Sequence, residues 1–454
     1  MPTSSLDARI AEWIATTPGT TIPRTALAAA ARAFFDCAGV MVAGAADPVG
    51  RGMIDYVLAQ GAAGPSSLVA TGRQTTPPLA ALANATAAHA LEYDDTTGFG
   101  HPSAVIVPAL LAHAEAAPEG VTGADVTTAY VVGLEVGIAL FRGGAGRERY
   151  AQMERGFHAT GLFGRLAATA AGARLRALDA ARTQMALGIV ASTASGIVAN
   201  FGTMTKPLHA GFAARDAVTA VELAAQGWTA SEQIFESPVG FFRAVYGAPG
   251  ASLDEIVTSL GRPFVTAIAL ACKVYPTCGF NAPAIQGLLH LTSEHGLSLD
   301  DVESVDVERA TVSPEVLLYD WPRDGMEARF SVRYNVAAAL AFGGVGLDAF
   351  GETSRQDPRL RSAFERVRLV DGAPRSDTTM VRIHTRDGRV LERGTALRSV
   401  AGSYSNRLSD ADVRTKFEAN ARRALAAERV AAAADAWEHF ETIADVREAM
   451  ATIC

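Results

Sequence analysis

Three lysines, Lys206, Lys273 and Lys416, stand against 37 arginines in this chain of 454 residues. Arginine replaces lysine well as a surface charge, but it stays protonated at any working pH. A buried lysine can have its pKa drawn toward neutrality and exchange protons. Lysine should therefore persist where that difference matters. Lys206 lies in GTMTKPLHAG, which lacks the glycine and lysine spacing of a phosphate loop. Lys273 lies in CKVYPTCGFN, and both are expected to be functional. Lys416 sits in an ordinary charged helix and carries no such expectation.

Other groups with chemical potential cluster in three places. In HALEYDDTTGFGHPS, a helix starting near Leu79 places His89, Glu92 and Tyr93 on one face. Glu92, Asp94 and Asp95 then crowd its negative end, so a buried cation, a hydrogen-bond network or a metal should compensate them. The carboxylates lack the repeated spacing of hard-metal motifs, and no metal is expected. In RGFHATG, His158 and Thr160 precede an alanine-rich helix, where free N–H groups suit a substrate carboxylate. His158 is a general acid or base candidate, and Thr160 a cap for that helix. In RFSVRYN, Tyr334 reads either as a candidate proton donor with Arg333 able to clamp a carboxylate, or as an aromatic packed beside surface arginines. His113, His290, His295, His384 and His439 lack comparable neighbours and are expected to be structural or exposed.

The elements that position these groups change character along the chain. Up to about residue 265 the sequence is Ala/Leu-rich with helical spacing, and starts such as TGAD punctuate it. The uncharged stretch Thr183–Thr205 is long enough to span a bilayer, but its small polar residues point to a buried core helix. SVDVERATV (304–312), VRLV (367–370) and VRIHTRDGRVL (381–391), with its Asp387-Gly388 turn, read as strands. Helix returns after Ser409-Asp410. The expected fold is mostly α with α+β. A large all-helical domain (1–267 and 401–454) carries a smaller inserted α+β lid domain (268–400).

Net charge is −8 with scattered bases, which gives no electrostatic reason to bind nucleic acid or a membrane. Four cysteines in no metal or CxxC spacing, with an N-terminal stretch unlike a signal peptide, point to free thiols and a cytoplasmic location.

Taken in order, HALEYDDTTGFGHPS, RGFHATG, GTMTKPLHAG, KVYPTCGFNAPA and RFSVRYNVAAAL resemble the MmgE/PrpD family. That family includes 2-methylcitrate dehydratase, cis-aconitate decarboxylase and iminodisuccinate epimerase. The resemblance implies a helical domain with an α+β lid, a homodimer, no metal or organic cofactor, and a site between the domains. It implies Glu92, Thr96, His101, His158, Lys206, Lys273 and Tyr334 as the site. In the mechanism expected here, Lys206 and Lys273 stabilise negative charge beside a carboxylate, and His101 or His158 moves the proton. Tyr334 assists as an acid, while Thr96 and Glu92 orient substrate or histidine. Two departures bear on the substrate: only TGFG separates DDT from HPS, shorter than in the dedicated dehydratases, and Ala282 stands near a position where many relatives have histidine. A lyase acting on a small di- or tricarboxylate is expected, with an epimerase as the alternative and a non-catalytic carboxylate-binding protein as a further one.

Overall fold

The computed structural model describes residues 5–145, 151–250, 253–308, 316–370 and 377–454. Two large hydrophobic cores organise the described residues, with smaller buried clusters beside them. One draws on helices between Leu6 and Leu260 together with Val413–Ile453, and the other on residues Ala284–Ile383. The C-terminal helices close the first core through aromatic stacking. Phe417 lies on Phe35 with ring centroids 4.7 Å apart, and Phe440 stacks between Phe34 and Trp437.

Small residues let the central helices approach closely. The helix Arg24–Ala46 meets Pro77–Ala90 at Gly44, where a Cβ would stand 1.9 Å from the Ala87 carbonyl oxygen. Pro77–Ala90 in turn meets Thr205–Ala225 at Gly211, where a Cβ would stand 2.2 Å from Thr86 Oγ1. These contacts bring His89 and Lys206 onto facing helices. Two helices, Arg24–Ala46 and Gly123–Gly143, are long and apolar enough to cross a membrane, and most of each is buried against the rest of the chain.

The smaller unit packs the helices Ala282–His295, Val332–Phe342 and Pro358–Arg366 with a four-stranded sheet. After a short hairpin of β1 (Ser66–Leu68) and β2 (Arg73–Thr75) in the helical part come β3 (Val302–Glu308), β4 (Val367–Val370), β5 (Thr378–Thr385) and β6 (Val390–Ala396). The order is β4-β3-β5-β6, with β3 parallel to β4 and antiparallel to β5. Alternation sets the buried face of β5, where Thr379, Val381, Ile383 and Thr385 turn inward. Asp387-Gly388 forms the expected turn, with Gly388 at φ 86°. The strand expected over 304–312 is seen to Glu308, and 309–312 lie outside the described residues.

The stretch Thr183–Thr205 is not one helix. The helix ends at Ala191, and irregular backbone follows to the Lys206 helix. The reason is buried Arg165, whose guanidinium donates to the Thr193 carbonyl, to Thr193 Oγ1 at 2.7 Å and to Ser195 Oγ at 3.0 Å. Asp216 balances its charge at 2.8 Å.

Candidate active site

The Pro77–Ala90 helix ends in an elbow at Leu91-Glu92, with Glu92 at φ 52°. A non-glycine residue pays about 1–2 kcal/mol for that left-handed conformation. Buried cations meet it. Lys206 Nζ donates to Glu92 Oε1, and Lys273 Nζ lies 3.2 Å from Glu92 Oε2 and 2.9 Å from its carbonyl oxygen. The lysine pair thus compensates Glu92, the first of the crowded carboxylates. Burial opposes charge on Glu92, but Lys206 and Lys273 outweigh it and hold the carboxyl below its ordinary value. Burial also lowers Lys206 from its ordinary range, against the pull of Glu92. The rings of Phe201 and Phe330 lie 5.5 and 5.7 Å from Lys206 Nζ.

Asp94 joins two histidines. His89 Nδ1 is 3.0 Å and His101 Nδ1 2.8 Å from Asp94 Oδ2. On its other side, His89 Nε2 is 2.7 Å from Lys206 Nζ. An ammonium can only donate, so His89 accepts there through Nε2 and carries its proton on Nδ1, toward Asp94. Burial works against the Asp94 charge, but His101 and His89 hold its carboxyl well below the usual range. His101 Nε2 remains 3.8 Å from Glu92 Oε2. Burial, reinforced by Lys206 and Lys273 and resisted by Asp94, pulls His101 down to about 3, so the imidazole is neutral at working pH. His89, Asp94 and His101 offer three ligand atoms within 4.8 Å of one another. The Nδ1 atoms face the one carboxylate and an ammonium faces His89 Nε2, an arrangement that spends these atoms on each other.

His158 stands at the N-cap of Ala159–Leu175, the position expected for Thr160. Thr160, one residue inside the helix, accepts from the His101 amide at 3.1 Å through Oγ1. The amides of Ala159, Thr160 and Gly161 have no acceptor among the described residues. His158 Nδ1 is 3.0 Å from His209 Nδ1, so one of the two donates and the other accepts. Burial and then Lys206 hold His158 well below its ordinary value and bring His209 to about 4. Thr96 pairs its backbone with Ala271, two residues before Lys273, at 2.9 Å in both directions.

The structure therefore gathers Glu92, His101, His158, Lys206 and Lys273, with Thr96 adjoining. Tyr334 and Arg333 are not brought there. Tyr334 is fully buried in the lid core, where its hydroxyl donates to the Ala349 carbonyl at 2.5 Å. Arg333 pairs with Asp320 at 2.7 Å and lies over the Phe364 ring. His89 and Asp94 belong to the crowded helix end that the sequence marks but not to the expected site residues, and His209, three residues from Lys206, carries no expectation beyond its place in GTMTKPLHAG. Tyr319 also approaches the site, donating to the Phe201 carbonyl at 2.8 Å, although no neighbouring motif marks it. Lys416 is buried, 2.7 Å from Asp36, rather than an ordinary helix charge.

The family model described as the MmgE/PrpD N-terminal domain matches residues 8–254, and the MmgE/PrpD C-terminal domain matches residues 275–439. The chain belongs to the MmgE/PrpD family. Among curated MmgE/PrpD relatives, cis-aconitate decarboxylase of Mus musculus is 29% identical over 382 residues, covering 81% of this chain and 77% of the relative. The enzyme of the same name from Homo sapiens is 28% identical, over 81% of this chain and 78% of its own length. A cis-aconitate decarboxylase-like protein of Aspergillus oryzae is 24% identical over 100% of this chain and 98% of its own.

Proposed function

We propose that this MmgE/PrpD protein is a lyase acting next to a carboxylate of a small di- or tricarboxylate, and that decarboxylation of cis-aconitate is the reaction to test first. The observation that carries this is the convergence of Lys206 and Lys273 on one buried carboxylate beside the neutral, Asp94-held His101. Loss of CO2 breaks a carbon–carbon bond and leaves its electron pair on carbon, conjugated with a remaining carboxylate. A proton must take the place of CO2. Two preorganised ammonium groups stabilise the developing charge, and such donors are worth about 2.7–4 kcal/mol each. His101, turned by Asp94 so that Nε2 faces Glu92, moves the proton: the neutral imidazole accepts one at Nε2 in dehydration, and in decarboxylation it passes to carbon a proton that Nε2 has first taken from water admitted with the substrate. The unpaired amides at the start of the His158 helix suit a second substrate carboxylate. Similarity to cis-aconitate decarboxylases supports the substrate class.

An epimerase is the second reading, favoured by two imidazoles, His101 and His158, with ring centroids 6.5 Å apart. One would remove a proton and the other return it to the opposite face. A cytoplasmic homodimer without metal or organic cofactor completes the proposal.

The test is incubation with cis-aconitate, citrate, 2-methylcitrate and iminodisuccinate, followed by NMR in deuterated water. Loss of CO2 or water supports the lyase. Solvent deuterium entering an otherwise unchanged substrate supports the epimerase, and thermal stabilisation without any exchange leaves a binding protein. Lys206→Arg and Lys273→Arg should each lower turnover at least about 10²-fold. Near-normal rates in both would remove the lysines from the mechanism.

A further inference from the structure

Three cations from separate parts of the chain end on three consecutive carbonyls. Arg329 Nε donates to Leu91 at 3.2 Å, Lys273 Nζ to Glu92 at 2.9 Å, and Lys416 Nζ to Tyr93 at 2.8 Å. Arg329 leads into the lid helix Val332–Phe342, Lys273 follows the helical core, and Lys416 belongs to the C-terminal helix Asp410–Ala421. All three side chains are buried. The carbonyls lie at the negative end of the His89 helix, where cations are favoured.

The two outer cations have no place in the mechanism above, yet they are built in carefully. Lys416 is matched by Asp36 Oδ1 at 2.7 Å and lies 4.1 Å from the centroid of the Tyr93 ring. Arg329 also donates to the Gly325 carbonyl at 3.1 Å and sits over the Phe350 ring at 5.0 Å. Between them hangs Glu92 in a conformation that its own side chain disfavours. Release of either neighbouring carbonyl frees the peptide planes that aim the Glu92 carboxylate at Lys206 and Lys273.

We infer that Lys416 and Arg329 are positioning residues, which act through the Tyr93 and Leu91 carbonyls to hold Glu92 in register with the two lysines. The inference rests on the lyase proposal for its kinetic consequence. Because Arg329 arrives with the lid, seating the lid and setting the elbow become one event.

Lys416→Met alone would strand the buried Asp36 charge, so the test uses Lys416→Met/Asp36→Asn, with Arg329→Met beside it. For either folded variant, kcat on the substrate identified above should fall about 10²-fold, as a displacement of about 1 Å does. KM should stay within about threefold, and Lys416→Arg should recover part of kcat. Crystal structures of the variants supply a readout independent of turnover: the Glu92 carboxylate should leave its place between Lys206 and Lys273. Glu92 unmoved in both variants overturns the inference whatever the rates do, as does unchanged kcat. If the parent protein converts no member of the panel, the lyase proposal fails, and the position of Glu92 alone decides this one.

Discussion

Asp94 and Asp95 are neighbours with opposite fates. Asp94 faces two imidazoles and stays ionised, whereas burial, with Asp36 and Asp94 nearby, pushes the Asp95 carboxyl up to about 7. Between its ordinary value of 3.8 and about 7, folded Asp95 keeps a proton that the unfolded chain has released. The native state then binds more protons, so stability falls as pH rises across that window and levels off above it. Asp7, also pushed to about 7, adds a slope of the same sign. Asp95→Asn should remove its share: the variant should melt above the parent at pH 8, with the gap closing toward pH 4. Parallel melting curves from pH 4 to 8 would refute the assignment. Tyr334→Phe offers a contrast. It deletes one hydrogen bond in the lid core, so about 0.5–1.5 kcal/mol of stability should go while kcat stays unchanged.

Much at this scale was legible, because scarcity marked Lys206 and Lys273 and crowding of like charge at a helix end called for cations. Lys416 was missed because its helix is charged throughout, and its burial follows from Asp36, 380 positions away in sequence and visible only in the fold. Tyr334 stood beside two arginines in sequence, but helical geometry sends its hydroxyl into the lid.

At the level of elements, the seam between the His89 and Lys206 helices sets the geometry of the site. Gly211→Ala would drive a methyl group into Thr86 Oγ1 and the Leu82 carbonyl. We expect a loss of about 1–3 kcal/mol and a marked fall in turnover, as Lys206 draws back from His89. Calorimetry and steady-state kinetics read both, and an unperturbed Gly211→Ala variant would show that the seam has slack. The strands β4, β5 and β6 were readable from alternation and the Asp-Gly turn. The β1–β2 hairpin was not, since Ser-Ser-Leu and Arg-Gln-Thr are too short to show a period. The break after Ala191 was hidden too, because Arg165, the residue that satisfies the irregular backbone, lies far upstream.

For the whole molecule, the division into a helical body and an α+β unit could be read from the change in pattern along the chain. That Glu92, Lys206 and Lys273 share one site was implied by the resemblance, whereas the arrival of Lys416 and Arg329 at the neighbouring carbonyls was not, because it depends on tertiary contacts. The gathered side chains are nearly sealed, with His101 9% and Lys273 8% exposed. Substrate entry is therefore expected to require movement, and the smaller unit, which brings Arg329 to the elbow, is the element expected to move. A bound tricarboxylate should hold that unit down and stabilise the fold by about 2.7 kcal/mol at a hundred times its Kd. Hydrogen exchange should slow at the same time in the connecting segment 270–281. Stabilisation without that protection would place the ligand elsewhere.

The burial of every lysine has a practical corollary. In the folded state no side-chain amine is available to an acylating reagent, a surface-coupling resin or an amine crosslinker. Any lysine adduct that does form would report a molecule that had opened, and its rate of appearance would time how often the chain lets go of its interior.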